Sequence, residues 1–136
     1  MRKIDKIIIH CTATPEGRNH TIKDIRLWHK KRGFTDIGYH YVIDINGYIL
    51  IGRPLHLAGA HTLGHNANSI GIAYVGGMDK GMKKAKDTRT QEQKEGLLVL
   101  LRSLVVKFPE AEIWGHRDFE KKACPCFDAR EEYKNV

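Results

Sequence analysis

The run Ile7-Ile-Ile-His-Cys-Thr12 sets the tightest limit on the fold. β-Branched side chains are stiff at χ1 and fit a pleated surface, so the segment reads as a strand. Its three consecutive isoleucines show no polar alternation, so it reads as a buried strand, covered on both faces. Ser69–Val75 reads the same way and ends at Gly76-Gly77. Two such strands need covering layers, and the rest of the chain offers helices for them.

Thr21 caps one helix, with Asp24 three residues on as a capping box. Ile22, Ile25 and Trp28 or His29 form its apolar face, and Gly33 ends it. Thr90 with Gln93 caps a longer helix. Leu97, Leu100, Leu101, Leu104 and Val105 are its core stripe, and Pro109 closes it. Tyr39–Ile45 and Tyr48–Ile51 flank Asn46-Gly47, a hairpin signal whose two turn residues are expected at positive φ. Glu112–Gly115 reads as a short strand, followed by an irregular tail. Residues 76–88, rich in glycine and lysine, read as a mobile surface loop. The fold class is therefore α/β, a single domain over residues 1–136 with a central mixed β-sheet and helices packed on it.

Composition excludes several classes. No apolar run approaches the roughly 20 residues that span a bilayer. The amino terminus lacks the pattern of a secretory signal, so a soluble protein made in the cytosol is expected. Three cysteines argue against a closed disulfide framework. The formal charge is +7, yet residues 37–77 carry only Arg53 and Asp44 as charged groups, alongside His40, His56, His61 and His65. A basic surface can meet nucleic acid or an anionic wall polymer, or simply aid solubility. No nucleic-acid motif accompanies it, so a nucleic-acid partner is not expected.

Three residues fit a metal site. His10 stands near the end of the first strand, and His116 ends the last. Cys124 follows in Lys121-Lys-Ala-Cys-Pro-Cys-Phe-Asp128. Strand ends are where open α/β sheets place their sites. Two imidazoles and a thiolate would hold zinc and leave its fourth position open, the arrangement of catalytic zinc. On spacing alone, a satisfied histidine and an inert cysteine remain the plainer alternative.

A set of short motifs occurs in order along the chain: His10-Cys-Thr-Ala-Thr, Trp28-His29, Gly38-Tyr-His-Tyr-Val-Ile43, Asn46-Gly47, Gly59-Ala-His61, Asn68-Ser-Ile-Gly71, Gly76-Gly77, Gly115-His116 and Lys122-Ala-Cys-Pro125. Together they resemble the zinc-dependent N-acetylmuramoyl-L-alanine amidases, of the phage-lysozyme type and more distantly the peptidoglycan-recognition proteins. The likeness runs from about Ile7 to Asp128.

The resemblance implies zinc held by His10, His116 and Cys124, catalytic roles for Tyr39 and Lys122, and His61 at the substrate groove. It implies hydrolysis of the amide between N-acetylmuramic acid and L-alanine, with peptidoglycan or muropeptide as partner. A monomer without a separate wall-binding domain, acting on cell-wall material, is expected. Cys126 departs from the family pattern, in which a serine or other small residue is more usual; Lys-x-Cys-Pro favours Cys124 as the ligand. His40 and Cys11 are expected to face away from their site neighbours, as structural residues. Two other functions stay open at this point: a recognition module that binds muropeptide without cutting it, and a basic phage-type regulator that contacts a polymerase.

Overall fold

A computed structural model describes residues 1–136. The elements are β1 (Lys6–Cys11), β2 (Thr14–Pro15), α1 (Ile22–Lys31), β3 (Tyr41–Ile43), β4 (Ile49–Ile51), β5 (Ser69–Tyr74), β6 (Gly77–Met78), α2 (Gln91–Lys107), β7 (Glu112–Gly115) and α3 (Ala129–Glu132). Five strands form one sheet in the order β4-β3-β5-β1-β7. β1 runs parallel to both β5 and β7, β3 runs parallel to β5, and β4 returns antiparallel to β3. The sheet is mixed, as expected. The tail is less irregular than expected, because it carries a single-turn helix at His116–Asp118 and the short α3.

β1 is covered on both faces, as its isoleucines require. Ile7, Ile9 and Cys11 face α2 and join Ile70, Ile72, Tyr74, Leu97 and Leu101 in the main core. Cys11 thus faces away from His10, as expected. The opposite face packs Ile25 of α1 against Ile37, Val42 and Val75. Along β5 the residues facing α2 are large, whereas Gly71 and Ala73 on the other face are small. His10 lies beside Ala73 in the register, so this small-residue face leaves room for a site.

The helix starts follow the sequence. Thr21 and Asp24 exchange hydrogen bonds of 3.0 and 3.1 Å. Thr90 and Gln93 do the same at 2.9 and 3.0 Å. Gln93 is fully buried, and its amide also donates to the Val75 carbonyl at 2.9 Å, tying α2 to the end of β5. Val105 lies at the edge of the core.

Three local expectations are corrected. The hairpin strands are shorter than read: the regular pairing covers Tyr41–Ile43 and Ile49–Ile51, and Tyr39 and His40 extend it only through single backbone hydrogen bonds to Arg53, Gly52 and Gly71. The turn is not one with two positive φ values, since only Gly47 has one, at +86°. Gly47 N–H donates to the Asp44 carbonyl, and the Asp44 carboxylate accepts from the amides of Asn46 and Tyr48. This is a three-residue loop closed by a left-handed glycine, and the Asp44 side chain selects it. The glycine-rich loop begins as structure: Gly77–Met78 pairs with Thr14–Pro15, and only its later part, residues 80–87, is exposed.

Two histidines hold backbone. His29 Nδ1 accepts from the Gly38 amide at 2.8 Å. His40 Nδ1 accepts from the Gly71 amide at 3.0 Å, and its Nε2 donates to the Leu57 carbonyl at 2.8 Å. His40 is therefore structural, as expected. Both rings must stay neutral to accept. Burial, aided by Arg32 and Arg53, pushes His29 down to about 4. Burial also drives His40 to about 4, against the pull of the Leu57 carbonyl.

Between the ordinary value of 6.5 and about 4, the unfolded chain takes up protons that these rings refuse. The stability they contribute is present above 6.5 and is lost as pH falls toward 4. The loss should be on the order of 3 kcal/mol per imidazole at most. Urea unfolding from pH 7 to 4 should show it, with a shallower slope in His40→Gln; equal slopes would contradict the assignment.

A second prediction concerns Gly96, inside α2. A β-carbon there would strike the Gly47 carbonyl oxygen, because the helix crosses directly over the hairpin turn. Gly→Ala in a helix interior ordinarily stabilises by about 1 kcal/mol. Gly96→Ala should destabilise instead, and a raised melting temperature would refute the close approach.

Candidate metal centre and its cleft

The site lies where β1 and β7 end. His10 is the fifth residue of β1, and His116 follows the last residue of β7, so the parallel pairing of the two strands brings their imidazoles together. Their ring centroids are 4.4 Å apart. Cys124 arrives on the loop after β7. Tyr74 O–H donates to the Pro125 carbonyl at 2.7 Å, and the Cys11 amide donates to Cys124 Sγ at 3.1 Å, so the loop is pinned to the ends of β5 and β1.

One ligand atom each from His10, His116 and Cys124 lies within 4.8 Å of the others. An ion about 2.0 Å from nitrogen and 2.3 Å from sulfur would hold such atoms about 3.3–3.5 Å apart, so a contraction of up to about 1.5 Å would bring them to a common ion. Cys126 is turned elsewhere, donating to the Gly77 carbonyl and lying 4.0 Å from Cys11 Sγ. The contact with the Cys11 thiol, then burial, push its own thiol far up, as befits an inert neutral group.

Each of the two histidines has one nitrogen committed. His10 Nε2 lies 2.9 Å from His61 Nδ1 and 3.3 Å from Thr62 Oγ1. His116 Nε2 lies 2.8 Å from Glu120 Oε2. Nδ1 is then the nitrogen each has left for an ion. Burial, with His61 and His116 beside it, holds His10 well below its ordinary pKa and keeps the ring neutral. Burial lowers His116 too, and Glu120 opposes that shift.

The cluster forms the floor of a cleft of about 520 Å³, lined also by Tyr39, His61, Arg32 and Lys122. Tyr39 reaches it from the segment before β3, with its ring 5.3 Å from that of His10 and 5.2 Å from that of His29. Burial, then the nearby thiols, push its phenol pKa up, so the hydroxyl keeps its proton. Lys122 stands at the rim, 61% exposed, with Nζ 3.4 Å from Glu120. Lys121 is exposed and does not line the cleft.

His61 lies against the flat backbone of Gly71, where a β-carbon would meet its ring at 2.5 Å. Its Nδ1 turns to His10 and its Nε2 to Ser69 Oγ at 3.3 Å. The residue expected at the substrate groove thus lines the cleft but spends both nitrogens inside the protein. Sequence reading missed Glu120 and Thr62. The spacing of His116 and Glu120, four apart, was a usable signal, whereas nothing local marks Thr62.

The fold and the side-chain geometry have counterparts in known proteins. Residues 1–127 match the family model described as N-acetylmuramoyl-L-alanine amidase. The endolysin of Escherichia phage T7 is 41% identical over 127 residues, covering 93% of this chain and 83% of that protein. Among solved structures, the N-acetylmuramoyl-L-alanine amidase LysC from Clostridium intestinale superposes with a TM-score of 0.81 at 30% identity, covering 97% of this chain and 83% of that one. Drosophila PGRP-LB does so with a TM-score of 0.81 at 25% identity, covering 99% and 82%. By its matched length, its sheet and its cleft, this chain belongs to the N-acetylmuramoyl-L-alanine amidase family and is an enzyme of that class.

Proposed function

We propose that the chain hydrolyses the amide between N-acetylmuramic acid and L-alanine in peptidoglycan with zinc held by His10, His116 and Cys124. The observation that carries the proposal is this trio, converging at the floor of an open cleft. The donor set suits zinc: two neutral imidazoles and one thiolate, with the remaining side facing the cleft. When bound there, zinc supplies a Lewis acid for the scissile carbonyl and lowers the pKa of water toward about 7.

The chain's own residues supply the rest. Tyr39 keeps its proton and presents a hydroxyl beside His10, suited to orient a water molecule or hand a proton to the leaving amine. Lys122 brings a compact positive charge to the cleft, suited to stabilise the oxyanion that forms as the carbonyl is attacked. His61 acts mainly through His10, fixing its orientation, and offers the groove the remaining part of its ring. Arg32 adds a second cation to the lining, which favours an anionic peptide. Every residue used comes from one chain, so a monomer suffices.

The experiment that tests this reading is a digest of defined muropeptides, with product masses compared with and without a chelator. The products expected are intact glycan and peptides with a new L-alanine amino terminus. Elemental analysis should give close to one zinc per chain, lost in His10→Ala and in His116→Ala. New reducing sugar ends, or full metal retention in both variants, would overturn the reading.

The second-line residues are tested separately. Tyr39→Phe and Lys122→Ala should keep zinc and fold while losing on the order of a hundredfold or more in turnover. Lys122→Arg should rescue poorly, since a planar guanidinium does not replace a point charge. Lys121→Ala should be nearly silent. An essential Lys121 beside a dispensable Lys122 would reverse the assignment.

A further inference from the structure

Glu120 is placed where one carboxylate meets two parts of the site. Oε2 lies 2.8 Å from His116 Nε2 and 3.4 Å from Lys122 Nζ. The side chain is three-quarters buried, at 25% exposure, and lines the cleft without belonging to the group of metal-binding atoms. Its place is fixed by local backbone. Glu120 N–H donates to the His116 carbonyl, and Lys122 N–H donates to the Glu120 carbonyl at 2.8 Å, so the chain folds back across the single-turn helix at residues 116–118. This puts residues 116, 120 and 122 on one side of the loop.

We infer that Glu120 is a positioning residue for both the metal and the lysine, through its hydrogen bond to His116 and its ion pair with Lys122. The inference rests on the zinc reading above. A carboxylate that accepts from one imidazole nitrogen holds the proton there. It leaves the other nitrogen unprotonated toward an ion, turns the ring, and raises its donor strength. His10 receives the same service from His61 and Thr62, which are neutral. Glu120 is therefore the one anionic partner among the residues that contact the two histidines.

The second contact has a different effect. A lysine at 61% exposure gains little from a surface ion pair in stability. It does lose freedom, because the pair holds a long, mobile ammonium over the cleft instead of letting it swing into solvent. Pre-ordering of that kind matters in a transition state more than in the resting fold. The same carboxylate thus couples the ligand set to the charge that faces the substrate.

The test is zinc affinity in the full-length chain. Metal is stripped with dipicolinate and returned in competition with a chromogenic chelator, and thermal unfolding checks that each variant is folded. Removal of such a supporting carboxylate commonly costs about 10–100-fold in metal affinity. Glu120→Ala should show a loss of that size. Glu120→Gln keeps an oxygen that accepts from His116 but gives up the charge. It should recover most of the zinc affinity while turnover of the zinc-saturated enzyme stays low. Lys122→Ala should leave zinc affinity at the wild-type value, and adding it to Glu120→Gln should lower turnover less than it does alone.

Wild-type affinity within twofold in a folded Glu120→Ala overturns the role of Glu120 and leaves the zinc reading standing. A wild-type chain that takes up no zinc overturns that reading and this role with it. Fully additive losses in the Glu120→Gln and Lys122→Ala pair overturn the link to the lysine.

Discussion

The placement of β1 between two parallel partners is the constraint on which the rest depends. Its backbone groups are spent on β5 and β7, so its side chains must satisfy two buried faces at once. Odd positions fill the α2 core with isoleucine. On the other face, His10 stands beside Ala73, and Gly71 makes room for His61 to lie flat. Moving β1 by one residue would put the isoleucines into the cleft and the histidine into the core, an exchange that neither face could absorb. The site is thus a consequence of the register, as is the approach of His116, which the end of β7 delivers at the same level.

Most of the histidines serve a purpose that their side-chain type alone does not announce. His29 and His40 are hydrogen-bond acceptors for backbone amides, holding the segment at Gly38 and the edge of β5. His61 stands behind His10. His65 stacks on Phe119, which in turn packs against Trp114 beside the loop that carries Glu120. Burial keeps the inner rings neutral, so they can accept hydrogen bonds from the protein or donate lone pairs to a metal. A chain of formal charge +7 therefore carries a site whose histidines are neutral, and its cations, Arg32 and Lys122, stand among the walls. Such an arrangement places little charge repulsion on an incoming metal ion, while leaving positive groups for the anionic parts of a wall peptide.

The loop from residue 116 to 126 joins these features. Tyr74 and Cys11 hold it from the sheet, one through a hydroxyl and the other through a backbone amide. Glu120 ties His116 to Lys122. Cys126, a departure from the family pattern, is absorbed by packing against Cys11 and Gly77, away from the cleft.

The sequence by itself determined the elements whose signals are local. The β-branched runs became strands, the two threonine capping boxes opened the two long helices, and Asn46-Gly47 marked the hairpin. Those features depend on residues a few positions apart, where sterics and single hydrogen bonds decide. His10, His116 and Cys124 became a set through the family resemblance, since their separation along the chain carries no periodic signal. Only the tertiary structure decided that they converge, that His61 faces His10 with both nitrogens engaged, that Asp44 selects a three-residue turn, and that Glu120 contacts both His116 and Lys122. Each of these rests on contacts fixed by parallel register and loop packing. The physical reason is that a strand's sequence specifies which faces it buries, while the partner at the same level is chosen only when the whole sheet closes.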